Sequence, residues 1–376
     1  MSGNIRPLDR ADLPEVAALY ELVARSGART PPPGLASHFE DTFLDHPWAD
    51  PEIPSLVYED DSGKIVGFIG SQVRRMRLDG RVLRFGCSGH LVTEPEARKG
   101  AVGAFLMRAY QAGPQDLTFS DTASDYVRKI WETLGGERSQ IACVGWGRLF
   151  RPFHASANFV GRRRELGRAG RVAEPLLTAL DAASVGVARQ RLEPPEPEGT
   201  TEELLPEAIA EHLPRLRRAF AIRPAYDDEG FVAWLLEQAA AVRTRGQLVK
   251  RLVRGSDGRV RGWFVYYVRP GAIAQVLQVA GAERDLGDVI DHLFHDAWSR
   301  DAAAIQGRAE GHLVQALAER KCFLHASGYL ALIHGRDPEV LHAVQSGRAL
   351  LTRLEGEWWM GHHLEPFGGD WTGDAP

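Results

Sequence analysis

Residues 94–104, EPEARKGAVGA, bring two cations (Arg98, Lys99) and two glycines (Gly100, Gly103) to the point where a strongly helical run begins. The first turn of a helix leaves backbone N–H groups without partners and carries partial positive charge, so a glycine-containing loop entering it is a natural anion cradle. Arg98 and Lys99 reinforce that charge. Gly103 keeps a Cβ out of the path of an approaching phosphate, and Gly100 permits the bend. The chemistry these residues could serve is the binding of a pyrophosphate; the same residues also make an ordinary helix start with a solvated basic face.

The elements that would position this loop follow from the hydropathy pattern. NIRPL reads as a strand, and Asp12 with Val16, Leu19, Tyr20 and Val23 as a capped amphipathic helix. After the Pro-rich TPPPG and the polar HPWADPEIP, the period changes to that of strands. SLVYED, KIVGFIGSQVRRMRL and RVLRFGCSGHLVT are joined by turns at Asp61-Ser62-Gly63 and Asp79-Gly80, which predicts three antiparallel strands in succession. A helix from Ala101 to Gln111, a buried strand DLTFS, a helix ASDYVRKIWETLGG and a strand QIACVGWG complete the first half. From about residue 202 a weaker version of this order recurs, which suggests an internal duplication. The expected organisation is a domain over 1–155, a basic helical segment and linker over 156–200, and a second domain over 201–376.

On these residues the stretch LVTEPEARKGAVGAFL resembles motif A of the GNAT superfamily of acyl-CoA N-acyltransferases. Leu91 and Val92 end the strand and Pro95 turns it; Arg98 takes the Arg/Gln place, Ala101 and Gly103 the two glycine places, and Leu106 lies on the helix behind. DYVRKIWETLGG is similar to the family's motif B helix, so the resemblance covers about residues 4–150. It implies α/β tandem GNAT-like domains, each a mostly antiparallel mixed sheet flanked by helices, and acetyl-CoA or another acyl-CoA as cosubstrate. Arg98, Lys99, Gly100, Ala101, Val102, Gly103 and Ala104 would hold the pyrophosphate. Leu91, Val92 and Thr93 would face the pantetheine arm where the strand splays at a bulge. Two places depart from the pattern. Ala101 replaces a glycine, and in motif B Ser124 stands at the asparagine place, where it would contact the cosubstrate, and Trp131 at that of the tyrosine that protonates the leaving thiolate.

Direct attack of an amine on a thioester needs a base to make the amine neutral and a proton donor for the sulfur. His90 is the base candidate by side-chain type and position. Asp121 is a second, as base or as a holder of the substrate ammonium, although its position also suits the cap region of the next helix. Tyr126 is the candidate donor. Cys87 has no Cys-His-Asp arrangement around it beyond His90.

In the second half, Arg284, Gly287 and Val289 align on Arg98, Ala101 and Gly103, and Glu283, Asp285 and Asp288 surround the would-be cradle, where they would repel a pyrophosphate. That half is expected to be a degenerate copy that shapes the acceptor side, with the aromatic tail EGEWWM as strand-like core. The histidines near residues 325–334 and 362–363 have no metal-ligand spacing, so no metal is expected.

Hydrophobic residues at 44%, charged residues at 25% and a net charge of −5 speak for a folded chain and against nucleic acid as a general partner. No apolar run would span a bilayer, and three distant cysteines fit a reducing compartment, so a cytoplasmic protein without stable membrane insertion is expected, with a homodimer left open. The expected function is N-acyl (first of all acetyl) transfer to an amine of a small molecule, such as an amino sugar or secondary metabolite. The alternatives are a regulatory CoA-binding pseudoenzyme and a transferase with a carrier-protein or aminoacyl-tRNA donor, the latter suggested by the arginine run 162–171.

Overall fold

The computed structural model describes residues 3–153, 155 and 192–360. Two mixed sheets flanked by helices make up the molecule. The first runs in the order β1 (Gly3–Pro7), β2 (Leu56–Asp60), β3 (Ile65–Leu78), β4 (Arg81–Thr93), β5 (Leu117–Ala123), β15 (Leu330–Gly335) and β6 (Glu137–Arg138), and β9 (Ile222–Pro224) pairs with the end of β3. Its neighbours are antiparallel except β4 and β5, which are parallel. The second runs β14 (Phe323–Ala326), β7 (Val144–Leu149), β13 (Ala304–Arg308), β12 (Ile273–Gly281), β11 (Val260–Val268), β10 (Gln247–Arg254) and β8 (Thr200–Glu203), with β12 and β13 the parallel pair. Sheet membership does not follow the halves of the sequence. β7 comes from the first half but sits between β13 and β14, and β15 comes from the second but sits between β5 and β6.

The hairpin from β3 to β4 turns where the sequence predicts it, with Asp79 and Gly80 both in the left-handed region at φ 46° and 86°. β3 is buried on both faces, which accounts for the apolar run IVGFIG over 65–70; the buried polar residues Ser71, Gln72 and Arg74 follow it. Phe68 points to α1 (Leu13–Tyr20) and α2 (Leu35–Phe43), sharing a core with Val16, Phe39 and Val92. Ile69 points to α3 (Val102–Gln111) and α4 (Asp125–Thr133), sharing one with Leu106, Met107 and Trp131. The helix α2 lies between TPPPG and HPWADPEIP, where the sequence pattern predicts no element. A single π-helical turn, Glu21–Arg25, extends α1.

In the second sheet, α7 (Leu286–Ser299) and α8 (Val314–Glu319) share a core with Phe264 and Tyr266. α5 (Pro206–His212) and α6 (Glu229–Ala241) cover the opposite face with Trp263 and Tyr267. The EGEWWM tail is not a strand: it forms buried turns, with Trp358 and Trp359 in this second core. α9 (Pro338–Gln345) returns to the first sheet, packing with Phe85, Leu117 and Ile333. Among the described residues no helix is long and apolar enough to cross a membrane. The arginine run of 162–171 and the histidines at 362–363 lie outside the described residues.

Candidate active site

β4 and β5 pair only from Phe85–Cys87 to Leu117–Phe119 and then part. On its other edge β4 carries a bulge. The register passes from Phe68/Val92 to Gly70/Gly89, so His90 and Leu91 together face Ile69 alone, and His90 takes φ 55°. A bulge twists and bends its strand locally, which here accompanies the opening of the gap. The gap is a cavity of about 690 Å³ that reaches from the start of α3 to the π turn after α1 and the turns of the chain's tail.

At one end stand residues expected to cradle an anion. A 3₁₀ turn, Ala97–Gly100, leads into Ala101 at φ 58°, ψ 25°, and α3 starts at Val102. Val102 and Gly103 open the first turn of α3, where the amides of a helix point toward its start and can meet an anion. Of the residues predicted to contact the cosubstrate, Leu91, Val92, Thr93, Arg98, Lys99, Gly103 and Ser124 line the cavity. A side chain at Gly103 would start 3.3 Å from Thr93 Oγ1. Gly100, Ala101, Val102 and Ala104 do not line it. Val102 instead packs its side chain on Gly67. The positive φ at Ala101 is the conformation that the glycine of the pattern would take without strain; for alanine it costs roughly 1–2 kcal/mol. Ser124 also caps α4, accepting from the Val127 amide at 3.4 Å.

The predicted proton-handling residues divide. His90 lines the cavity but is ringed by Tyr20, Phe43 and Phe39, with ring centres at 5.0, 5.3 and 5.7 Å. Burial drives its pKa down to about 3, so it stays neutral and accepts a proton poorly. Asp121 does not line the cavity. It is buried against the tail, where Oδ1 accepts from the amides of Glu357 (2.9 Å) and Trp358 (3.1 Å), and Oδ2 lies 3.4 Å from Arg308. It therefore does not hold a substrate ammonium, and the cap of α4 is Ser124. Tyr126 lines the cavity from the first turn of α4 and is 57% exposed. Trp131 is buried, and its indole nitrogen donates to Ile333 O at 2.9 Å. Cys87 is buried outside the cavity lining, and burial raises its thiol well above the usual value, which removes it as a nucleophile.

A carboxylate that sequence reasoning missed stands at the far end. Glu357, in the tail turns, lines the cavity and accepts a hydrogen bond from Ser120 Oγ at 2.5 Å. Burial pushes its pKa up to about 7, with the Asp121 carboxylate adding to the rise and hydrogen bonds from Ser120 and Thr122 opposing it. Two glycines make room for it. A Cβ at Gly89 would collide with the Glu357 carboxylate, and one at Gly356 with that of Asp121. The only trace in the sequence was an acidic residue between Gly356 and two tryptophans.

The corresponding places of the second half are filled from within. The helix start at α7 follows the turn Glu283–Asp285, and Arg261 lies 3.1 Å from Asp285 and 3.8 Å from Asp288. Beyond the paired part of β12 and β13, Gln278 donates to Glu355 (2.9 Å) and Thr352 (3.3 Å), and Arg308 donates to Leu351 O (2.5 Å). One segment, residues 351–357, thus bridges the second pair of strands and delivers Glu357 to the first.

No protein-family model matches this sequence, and no curated protein matches it. Solved structures do match its fold. A conserved protein of unknown function from Enterococcus faecalis V583, named a probable N-acyltransferase, is similar with a TM-score of 0.56 and 10% identity over 88% of this chain and 72% of that one. A GCN5-related N-acetyltransferase from Anabaena variabilis gives 0.55 and 8% over 89% and 73%. An N-myristoyltransferase from Saccharomyces cerevisiae, solved with myristoyl-CoA and inhibitors, gives 0.51 and 12% over 89% and 79%. The chain has the GNAT fold of acyl-CoA N-acyltransferases.

Proposed function

We propose that the protein is an N-acyltransferase that moves an acyl group from acyl-CoA to the amine of a small molecule in the cleft between β4 and β5. The observation that supports this reading is that Arg98 and Lys99, beside the first turn of α3, and the buried carboxylate of Glu357 line one cavity. Acyl-CoA, when bound, supplies an activated thioester. Arg98, Lys99 and the first turn of α3 at Gly103 would hold its pyrophosphate, and Leu91, Val92 and Thr93 would line its pantetheine arm. Glu357 takes a proton from the substrate ammonium and leaves a neutral amine. As the new C–N bond forms the C–S bond breaks, and the phenol of Tyr126 gives its proton to the departing thiolate. The nitrogen sheds its second proton as the amide forms, this proton passes through water to refill Tyr126, and Glu357 returns its own proton to water. Acetyl-CoA is the donor to try first.

Calorimetric titration with acetyl-CoA is expected to give binding that Arg98→Glu and Gly103→Asp abolish. Glu357→Gln should leave that binding intact and lower kcat by about 10²–10⁴-fold. Unchanged turnover in this variant would remove the base from the reading, and absence of binding to the wild type would sink the whole of it. A CoA-binding protein without turnover is the second reading, favoured by the buried indole of Trp131 where the pattern has a tyrosine. It predicts the same calorimetry and no release of thiol with any amine. A carrier-protein or aminoacyl-tRNA donor is a third reading, and the arginine run that suggested it lies outside the described residues.

A further inference from the structure

We infer that the amine acylated here carries no carboxylate or phosphate and is borne on an apolar, ring-sized body. This rests on the cavity being an acyl-CoA site. Charge is unevenly distributed along it. Among the described lining residues the charged ones are Arg98 and Lys99 beside the first turn of α3, Asp125 on α4, and Glu357. Asp125 is engaged by Arg128 at 3.0 Å, which leaves Glu357 as the charge that faces the acceptor. Ser120 and Thr122 bond Glu357 itself, and the lining also includes the apolar and aromatic Tyr20 at the end of α1, Val23 and Ala24 in the π turn, Tyr329, and Trp358.

Arginines close to this end are committed elsewhere. Arg25 pairs with Glu21 at 2.8 Å, and Arg245 and Arg353 stack on the Trp358 ring at 3.9 and 4.4 Å without lining the cavity. An ammonium entering here finds a carboxylate, whereas an acceptor that also bore a carboxylate would bring a second anion beside Glu357, with no cation of the described lining except Arg98 and Lys99, which stand at the start of α3. That arrangement is unfavourable in a site shielded from water.

Matched pairs that differ only in the carboxylate test this: phenethylamine against phenylalanine and tryptamine against tryptophan, each assayed by release of free CoA thiol from acetyl-CoA. The expected result is kcat/KM for each amine on the order of 10²-fold above that of its amino acid. Ala24→Arg, which adds a cation to the apolar wall, should raise kcat/KM for the amino acids by about tenfold and narrow the gap. Equal or faster turnover of the amino acids by the wild type overturns the inference. So does failure of both amines with a protein that binds acetyl-CoA. Calorimetry keeps the two levels apart, since loss of acetyl-CoA binding in the wild type would defeat the acyl-CoA reading itself.

Discussion

A carboxylate that must take a proton from an alkylammonium near neutral pH works best when its pKa is far above that of a free glutamate, and burial supplies that shift for Glu357. The sign of the pH dependence follows. The working form is the anion, so kcat should rise with pH through about 7. Asp121→Asn removes a neighbouring negative charge while keeping an oxygen for the amides of Glu357 and Trp358. Arg308 and Arg353 remain nearby. The inflection should therefore move to lower pH; a pH–rate profile that does not move would leave Asp121 with a purely structural part. His90 and Tyr126 could be nominated from the sequence because they lie within or next to locally patterned segments. Glu357 could not, because what gives it a role is contact with Asp121, whose carboxylate accepts from an amide 236 residues away. No periodicity or spacing encodes such a contact.

The elements were legible to the extent that their signals are local. The Asp-Gly turn, the three strands and the loop into α3 each depend on residues a few positions apart. The helix α2 carried Leu35, Phe39 and Phe43 at one-turn spacing, yet it is short and follows a proline run, and its entry is Gly34 at φ 92° rather than a side-chain cap. The loop into α3 also carries a measurable flaw. Ala101 holds a left-handed conformation in which glycine pays no Cβ penalty, so Ala101→Gly is expected to stabilise the protein by about 1 kcal/mol in urea denaturation. The exchange of β7 and β15 was beyond any local signal. Each reads as an ordinary strand, and only pairing with strands of the other half decides its sheet.

For the whole molecule, the reciprocal exchange ties both sheets into one unit. Denaturant unfolding followed by tryptophan fluorescence and by far-UV circular dichroism should give coincident single transitions, and a chain ending near residue 200 should fail to fold; two separated transitions would contradict this. Stability should also pass through a maximum at about pH 6–7. His38 and His312 are held down to about 4, and His46 and His90 to about 3, all by burial. Their contribution is present above the ordinary histidine value and is lost as pH falls below it, because the unfolded chain then binds more protons. Glu357 at about 7 and Glu310 at about 8 act in the opposite sense. Their contribution is present at low pH and lost as pH rises through those values. A denaturation midpoint that climbs steadily to pH 9 would refute the balance. The exchange also sets an order of events on the ribosome. β5 waits for its neighbour β15, and the cavity waits for Glu357, until residue 357 has emerged. Nascent chains should therefore show an incomplete first sheet and no activity until residue 357 is released, and termination between β15 and Glu357 would yield a catalytically silent product rather than a weakened one.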